Sequence, residues 1–375
     1  MAAVRKVLVV GGGIGGMSTA IQLRKAGIEV DLVEQDKDWQ VYGAGITISG
    51  PTLRAFKTIG VVDQIVQLGF CADGCSIALA NGQVIGEIPT PRIAGPEIPG
   101  GGGIMRPVLA RILSQATLDA GVSVRLGQTF VSIEQAADKV HVTFTDGSLG
   151  EYDLVVGADG LHSKVRTTVF PDAPKPKFTG QGAWRAVVPR PAEVIKPIMF
   201  MGHHTKAGVN PVSQDEMYLF FLDKRAENTF IKPEAWAGLL AEELAEFSGL
   251  VADIRDGISA QSRIVYRPLE SVLMLSPWHS GRVVLMGDAV HATTPHLASG
   301  AGIAVEDAIV LAEELTRDDS GLEAALIRYQ DRRRERSRLV VENSLRLGEI
   351  EQEGGSQEEH QQLMRSTMAL LLQPI

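Results

Sequence analysis

The stretch VLVVGGGIGGMSTA, Val7–Ala20, decides the fold, because a glycine-rich turn joins an apolar run to a helical pattern. The run before the turn is rich in β-branched residues, which is typical of a buried strand. The turn then carries the G-x-G-x-x-G spacing, with glycines at Gly11, Gly13 and Gly16. The pattern predicts a strand–turn–helix unit whose helix N-terminus faces a pyrophosphate.

Each glycine has its own physical role in such a turn. Gly11 permits the tight turn, and Gly13 lets the backbone approach the phosphates. Ile14 opens the helix, and Gly16 lets that helix pack closely on the strand. A glycine-rich turn without a ligand is the alternative.

A second predicted strand, Ile28–Val33, ends at Glu34. A carboxylate at this position accepts hydrogen bonds from a ribose diol, so it suits the unphosphorylated adenosine ribose of NAD or FAD better than that of NADP. Strand, helix, second strand and acid are all in place. We therefore favour dinucleotide binding over a turn without a ligand.

A second glycine-rich junction, GDAVHATTPHLASGAG, covers Gly287–Gly302. The predicted strand Val283–Met286 delivers Asp288 to the carboxyl edge of the sheet, where ligands of open α/β sheets bind. Gly300 and Gly302 open the next helix, whose free backbone N–H groups would face an electron-rich ligand atom. The first junction would then hold an adenosine and pyrophosphate, and the second a polyol chain and a redox ring. That division describes FAD better than NAD.

Between the junctions the pattern changes to short strands separated by turns. After helix Pro107–Ala120, we predict strands at Val122–Leu126, Thr129–Glu134, Val140–Phe144 and Tyr152–Val156. This succession predicts a β-meander inserted into the nucleotide-binding domain. A second set of strands, with a hairpin signal at Asn81-Gly82, predicts a separate antiparallel sheet. The glycine run Pro99–Gly103 is predicted to be a mobile connector.

Composition argues against several classes of protein. The chain has 375 residues and a net charge of −9, which disfavours nucleic-acid binding. The run DRRRERSR, Asp331–Arg338, alternates with acids and is predicted to be a solvated, salt-bridged helix face. Without a signal peptide, Cys71 and Cys75 indicate reduced thiols of a cytoplasmic protein, and no metal-ligand spacing is found. No run approaches the ~18 apolar residues of a membrane span.

Three motifs in order resemble one known family across nearly the whole chain. They are GGGIGG with Glu34, GADGLHSKVR at Gly157–Arg166, and GDAVHATTP followed by GAGIAVEDA. Together they resemble the single-component FAD-dependent aromatic hydroxylases, which include 4-hydroxybenzoate hydroxylase, salicylate hydroxylase and 6-hydroxynicotinate monooxygenase. The resemblance implies an α/β fold, with a Rossmann-like FAD-binding domain that holds the inserted meander and an antiparallel-sheet substrate domain. We expect the FAD-binding domain at residues 1–72, 101–176 and 269–375, and the substrate domain at residues 73–100 and 177–268.

The resemblance also implies which residues bind FAD. They are Gly11, Gly13, Ile14, Gly16, Glu34, Arg106, Val131, Asp159, Asp288, Pro295, Gly300, Ala301 and Gly302. Arg106 would reach the phosphate–ribityl region, the Val131 backbone would lie near the adenine, and Asp159 would serve both FAD and a nicotinamide cofactor. Many relatives have Gln where this chain has Ser299, which leaves the polar contacts beside the flavin ring open.

The implied reaction is a hydroxylation. NADH or NADPH reduces the flavin, dioxygen adds to it, and the resulting hydroperoxide transfers OH to an electron-rich ring. The protein orients the ring and excludes water. The expected partners are a small aromatic or heteroaromatic substrate, phenolic or anionic, and dioxygen, with no nucleic acid and no membrane, in a monomer or homodimer. A flavin-dependent dehydrogenase or reductase on the same scaffold and a non-catalytic FAD-binding regulator are the alternatives.

Four residues of the predicted antiparallel sheet are candidates for the substrate site. Arg185 could meet a carboxylate or oxyanion, or it could point outward from a half-exposed strand. His203, Tyr218 and Tyr266 are the other candidates, and core packing is the alternative for Tyr218. The catalytic candidate is His296, in the loop beside the flavin. It is either a base for a phenolic proton or a loop histidine bonded to the backbone.

Overall fold

The computed structural model describes residues 4–39, 43–203, 205–318 and 320–375. In these ranges the strands are β1 (Lys6–Val10), β2 (Glu29–Glu34), β3 (Gly45–Ser49), β4 (Phe70–Ala72), β5 (Cys75–Leu79), β6 (Val84–Ile88), β7 (Gly101–Met105), β8 (Ser123–Leu126), β9 (Phe130–Gln135), β10 (Val140–Phe144), β11 (Leu149–Tyr152), β12 (Leu154–Gly157), β13 (Lys177–Pro189), β14 (Ile198–Met201), β15 (Lys206–Pro211), β16 (Glu216–Lys224), β17 (Arg263–Ser271), β18 (His279–Ser280) and β19 (Val283–Leu285).

The helices of the described chain alternate with these strands. They are α1 (Ile14–Lys25), α2 (Gly50–Ile59), α3 (Val62–Leu68), α4 (Arg106–Asp119), α5 (Lys164–Val169), α6 (Trp236–Glu243), α7 (Leu250–Asp256), α8 (Asp288–His291), α9 (Gly300–Thr316), α10 (Leu322–Glu353) and α11 (Gln357–Leu372). Short 3₁₀ turns cover Pro233–Ala235 and Pro295–Leu297.

A six-stranded sheet in the order β18-β19-β12-β1-β2-β8 forms the base of the molecule. Apart from the short antiparallel edge strand β18, its neighbouring strands are parallel. Residues Val7–Val10 of β1 are buried, as their continuous apolar run requires for a central parallel strand. Since β1 lies between β12 and β2, the strand order reverses beside it, and a crevice forms at the carboxyl ends of these strands.

The inserted meander is smaller than predicted. Strands β9, β10 and β11 form a three-stranded antiparallel sheet, whereas β8 joins the parallel sheet beside β2. The single strand predicted over Tyr152–Val156 is wrong, because the chain leaves the meander at Tyr152 and enters β12 at Leu154. Between them, the Asp153 carboxylate accepts the backbone N–H groups of Arg5 and Lys6 at 2.7 and 2.9 Å. This capping ties the corner to the start of β1.

A seven-stranded sheet in the order β17-β13-β16-β15-β14-β5-β6 stands over the crevice. It unites strands from residues 73–100 and 177–271, and the domain boundaries themselves stay a prediction. One face, here called the outer face, packs Trp184 and Phe221 against Leu240 of α6 and Val251 of α7. Adjacent residues of a strand alternate between faces, so Arg185 belongs to the opposite, inner face.

The inner face is turned toward the nucleotide-binding part of the chain. Asn210 donates to Thr47 Oγ1 of β3 at 2.9 Å, and the Tyr218 hydroxyl lies 2.6 Å from the same oxygen. Asn210 lies on β15 and Tyr218 on β16, so these contacts place the inner face over β3. The space between the inner face, β3 and the 295–302 loop is called the cleft below.

The glycine run predicted to be a connector is a packed strand. Gly101–Gly103 lie in β7, the central strand of a three-stranded sheet with β3 and β4. A Cβ on Gly103 would lie 2.4 Å from the Pro211 carbonyl oxygen, so glycine allows β7 to approach the seven-stranded sheet. Helix α4 begins at Arg106, directly after β7.

Two features of the composition can be compared with the structure. Cys71 and Cys75 are free thiols, and burial raises the pKa of each to about 11. In the part of the chain that the structure describes, we find no helix with both the length and the apolar character required for crossing a bilayer.

Candidate active site

The first glycine junction combines close packing with an open front. A Cβ on Gly16 would lie 1.9 Å from the Gly11 carbonyl oxygen, and Gly11 itself has a φ of +108° and approaches Ala158. By contrast, a Cβ on Gly13 would meet no described atom within 4 Å. Gly11 and Gly16 are thus needed for packing, while the backbone at Gly13 faces free space. A pyrophosphate fits this arrangement, since the N-terminus of α1, beginning at Ile14, points the same way.

Glu34 is held in position at the end of β2. Its carboxylate accepts the backbone N–H of Gly12 at 2.7 Å and that of Asp36 at 2.8 Å. Each carboxylate oxygen has a second lone pair, so a ribose diol can still be bound. Trp39, which sequence analysis missed, donates its indole N–H to the Gly12 carbonyl at 2.9 Å. An aromatic residue shortly after the acid was the available signal.

Val131 lies beyond the same edge of the parallel sheet. The backbone N–H of Gln128 donates to the Glu34 carbonyl at 2.9 Å, and β9 begins two residues later. Val131 is 65% exposed on this strand. Its contact with an adenine stays a prediction.

The second junction places Asp288 at the start of α8, with its side chain open to the crevice. The surrounding protein raises the pKa of this carboxyl by desolvation, and the nearby charges of His291 and Arg106 act in the opposite direction. A polyol chain fits such a carboxylate, because its hydroxyl groups can donate to the oxygens that are open to the crevice.

A buried ion network supports this junction from behind. Asp307 of α9 accepts the backbone N–H of Gly287 at 2.9 Å, and its carboxylate lies 2.6 Å from His291 Nε2. Arg333 of α10 donates to the other oxygen of Asp307 at 2.8 Å. Asp307 and Arg333 are fully buried, so they fix the backbone that presents Asp288.

This network corrects the interpretation of the arginine run at Asp331–Arg338. Arg333 and Arg336 are 0% and 8% exposed and pair with acids of α9, Glu306 among them. Arg332 and Arg338 are about one-third exposed, as a solvated face requires. Only part of the run is therefore a solvated face; the rest belongs to the core.

The loop beside α9 closes the far side of the crevice. Pro295 starts a 3₁₀ turn, and Gly300, Ala301 and Gly302 form the first turn of α9, whose backbone N–H groups lack helical partners. The Ser299 hydroxyl is buried and donates to the Leu297 carbonyl at 2.7 Å. It is therefore turned into its own loop, away from the cleft.

Asp159 has a structural role in the GADGLHSKVR motif. Its carboxylate accepts the hydroxyl of Ser163 and the N–H groups of Lys164 and Val165, and so it caps α5. Arg166 is buried and donates to the Ala289 carbonyl of α8 at 2.8 Å. The motif thus links α5 to the second junction, while cofactor contacts of Asp159 stay a prediction.

One end of the cleft, here called the arginine end, holds Arg106 and Arg185. Burial lowers the pKa of Arg106, and the positive charge of Arg185 lowers it further, whereas Tyr218 and Asp288 oppose the shift. Among the described residues neither guanidinium has a hydrogen bond or an ion pair within its reach. Two neighbouring guanidinium groups without partners form an electrostatic site for an anion.

The other end, here called the histidine end, holds His296, Lys206, Glu351 and His360. His296 Nδ1 lies 2.8 Å from Thr294 Oγ1, so the ring is bonded to a side chain rather than to backbone. Its Nε2 lies 3.4 Å from Glu351 Oε2, and the side chain is 0% exposed. Burial lowers the pKa of His296, and Glu351 only partly offsets this. The imidazole is therefore neutral near pH 7 and can accept a proton.

Glu351 collects contacts from three other elements. Its carboxylate accepts Lys206 of β15 and lies 3.0 Å from His360 Nε2 of α11. Burial raises the pKa of the Glu351 carboxyl, but the hydrogen bonds of His296 and His360 and the charge of Lys206 outweigh it and hold the pKa well below its ordinary value. Helix α10 leaves room for the imidazole at Gly348, where a Cβ would lie 3.0 Å from His296 Cε1.

The structure divides the four substrate candidates. Arg185 and Tyr218 face the cleft. The substrate role predicted for Tyr266 is contradicted, because Tyr266 packs on Trp184 of the outer face with ring centroids 4.5 Å apart. His203 is exposed in the turn after β14, and its backbone N–H donates to Glu246, which follows α6 on the outer face. Neither residue reaches the cleft from there.

Known proteins share this architecture. A family model described as FAD binding domain matches residues 5–344. The 2-heptyl-3-hydroxy-4(1H)-quinolone synthase of Pseudomonas aeruginosa (strain UCBPP-PA14) is 33% identical over 355 residues, covering 92% of this chain and 89% of that protein. The FAD-dependent urate hydroxylase of Klebsiella oxytoca is 33% identical over 348 residues, covering 90% and 88%.

A solved structure is also similar to this chain. The crystal structure of Klebsiella pneumoniae HpxO complexed with FAD and uric acid matches with a TM-score of 0.84 and 25% identity, covering 98% of this chain and 95% of that chain. The fold class predicted from sequence is confirmed, as is the resemblance carried by the three motifs. The chain belongs to the family of FAD-dependent aromatic hydroxylases.

Proposed function

We propose that this protein is a monooxygenase that uses FAD, NADH or NADPH, and dioxygen to hydroxylate a small aromatic or heteroaromatic substrate. The observation that carries the proposal is the shared crevice. The open turn at Gly13, the Asp288 carboxylate and the N-terminus of α9 all face it, and the inner face of the seven-stranded sheet covers it. A long cofactor would thus have a binding group for each of its parts.

The chain's own residues account for cofactor binding. The α1 N-terminus and Gly13 would hold the pyrophosphate, Glu34 the adenosine ribose, and Asp288 the ribityl chain. Arg106 would neutralise phosphate charge at the arginine end. When bound, FAD supplies the redox chemistry, taking a hydride from the nicotinamide cofactor and reacting with dioxygen.

The protein contributes substrate orientation and proton transfer. Arg185 would fix an anionic or enolate oxygen of the ring, and the apolar side chains of the inner face would exclude water. His296, neutral and buried, would take the proton of a ring hydroxyl as the ring becomes a better electron donor. The balance is NAD(P)H, H⁺, dioxygen and substrate giving NAD(P)⁺, hydroxylated product and water.

The names of the relatives support a heteroaromatic substrate. One relative is named for a quinolone and another for urate, both of which are nitrogen heterocycles that carry oxygen substituents on the ring. An N–H or O–H on such a ring could give its proton to His296, and the oxygen left behind would suit Arg185.

The test is oxygen uptake by the purified, FAD-loaded protein with NADH or NADPH and a panel of hydroxypyridines, quinolones, purines and hydroxybenzoates. We expect bound FAD rather than FMN, and NAD(P)H oxidation that one class of compound accelerates. Incorporation of ¹⁸O from dioxygen into product separates a monooxygenase from a dehydrogenase or reductase. A protein that binds FMN or no flavin, or that gives no labelled product with any compound of the panel, would overturn the proposal.

A further inference from the structure

We propose that Glu351 and His360 form a proton path between His296 and the protein surface. The inference rests on the proposed function, in which His296 accepts a proton from the substrate. It adds two positioning and relay residues from the C-terminal helices α10 and α11. These helices lie outside the motifs that bind the cofactor.

The burial of His296 creates the need for such a path. Its side chain is 0% exposed, so an imidazolium formed there cannot pass its proton directly to bulk water. On the Nδ1 side the ring contacts the Oγ1 atom of Thr294, a residue that is itself buried. On the Nε2 side the nearest polar group is Glu351 Oε2, at 3.4 Å. That distance is long for a hydrogen bond, and a positive charge on the ring would shorten it.

Glu351 continues the path toward solvent. Its Oε1 lies 3.0 Å from His360 Nε2, and the His360 side chain is 23% exposed. A proton leaving His296 Nε2 would convert Glu351 into a neutral carboxylic acid. His360 carries its ring hydrogen on Nε2 while it donates to the ionised carboxylate, so it would first change to the tautomer with the hydrogen on Nδ1. Rotation of the protonated carboxyl group would then present the proton to His360 Nε2, and His360 would release its Nδ1 proton to water. Each step breaks one N–H or O–H bond and forms another, with no change in oxidation state.

The surrounding charges favour outward transfer. Lys206 of β15 contacts Glu351, while His360 and Lys206 both disfavour a positive His296. Lys206 keeps Glu351 ionised, so the carboxylate is a weak base that would hold the proton only in passing, and Lys206 competes with His360 for the same oxygen. Together with Glu351 these are the charged groups that face His296, and they come from β15, α10 and α11.

A cavity offers the rival route. It has a volume of about 420 Å³ and lies between α10, the start of β13 and the end of β17, with His296, Gln181 and Ser344 in its wall. The imidazole has no exposed side-chain atom, so a proton would have to enter this cavity through another polar group of its wall. The Gln181 Oε1 and Ser344 Oγ atoms in this wall have no described hydrogen-bond partner, so they do not extend a chain of bonds.

The experiment measures exchange of the His296 ring N–H with water in the FAD-loaded protein, by NMR of ¹⁵N-labelled histidine. The variants are Glu351→Gln and His360→Gln, and imidazole buffer is the probe that can replace a lost relay. We expect exchange to slow by about tenfold or more in both variants, as loss of positioned acid–base groups does elsewhere. Added imidazole should restore the rate in His360→Gln, because that variant leaves a gap open to the surface.

His141→Gln is the matched control, since His141 is an exposed histidine 3.8 Å from Glu151 in the meander. Its effect should be nil. Unchanged exchange in His360→Gln would overturn the path and favour the cavity, and so would equal slowing in the control. Because exchange needs no substrate, this result is independent of turnover. If His296→Asn left hydroxylation intact, the base role would fail, whereas the exchange rates would still decide the path.

Discussion

The arginine end and the histidine end of the cleft treat their charges in opposite ways. At the arginine end, Arg106 and Arg185 lie within electrostatic range of each other and have no hydrogen-bond or ion-pair partner among the described residues, and Asp288 is open to the crevice. At the histidine end, the Glu351 carboxylate pairs with Lys206 and lies 3.0 Å from His360 Nε2. Unpaired guanidinium groups favour the binding of an anion. Groups that are already hydrogen-bonded to one another can pass a proton along without a change in the net charge of the cluster. In the proposed function, the first end binds the charge of the ligand and the second takes its proton.

The largest effect should come from the histidine end. His296→Asn should keep FAD but slow hydroxylation by about 10²-fold, because it removes a neutral base beside the ring. It should also raise the share of NAD(P)H that yields hydrogen peroxide. The measurement is product formed per NAD(P)H consumed between pH 6 and 8, with a substrate found in the panel. Equal rate and coupling in the two proteins would remove the chemical role assigned to this end.

The arginine end should affect binding instead. Arg185→Met should weaken benzoate binding by about 10- to 100-fold, since hydrogen bonds to charged groups contribute about 1.5–3 kcal/mol. Benzamide, of nearly the same shape but neutral, should bind much as before. Flavin absorbance titrations with the two ligands give the comparison, and Arg111→Met, an exposed arginine of α4, is the control. Equal losses for both ligands would mean that the end recognises shape and not charge.

A substitution at Asp288 tests whether the arginine end also binds the cofactor. Asp288→Ala should raise the Kd for FAD by about tenfold or less for each hydrogen bond lost, at about 1 kcal/mol per bond. The fold should survive, because the buried Asp307–Arg333 pair still holds the junction. Fluorescence titration of apoprotein with FAD measures the affinity, and circular dichroism checks the fold. An unchanged Kd would separate Asp288 from the cofactor.

The smallest effect concerns stability. Since burial lowers the pKa of His296 below its ordinary value of about 6.5, its contribution to stability is full above that pH and declines as the pH falls below it. Between pH 7 and 5, the Tm of the wild type should therefore fall more than that of His296→Asn, by about 2 °C or less. Parallel curves of Tm against pH would show that protonation of the buried His296 ring does not destabilise the fold.

Local patterns in the sequence were sufficient to bring three predicted cofactor-binding residues to one edge of the sheet. Gly13 and Asp288 each lie three residues after a strand and Glu34 is the last residue of β2, so the strand ends place them together, while their contacts with a cofactor stay a prediction. The histidine end could not be predicted in this way. Lys206, Glu351 and His360 come from one strand and two helices that are distant in sequence, and only their packing brings them to His296.

Two further misses have physical causes. Tyr266 was named a candidate from its place in the sequence, but alternation along β17 does not show which of two opposite faces is the inner one, and Tyr266 lies on the outer face. In the run at Asp331–Arg338, acids at helical spacing imitate a solvated face. The acids that bury Arg333 and Arg336 lie instead on α9, and no local pattern reveals them.

Gly348 is a position from which the His296 side chain can be moved by substitution. A glycine within a long helix costs some helix stability, and here the missing side chain is what seats the imidazole of His296. A Cβ there would lie 2.8 Å from Gln181 Oε1 and 3.0 Å from His296 Cε1, so Gly348→Ala would shift both side chains. The position of the imidazole can thus be adjusted from the backbone of α10, and substitutions at Gly348 should change coupling efficiency through His296.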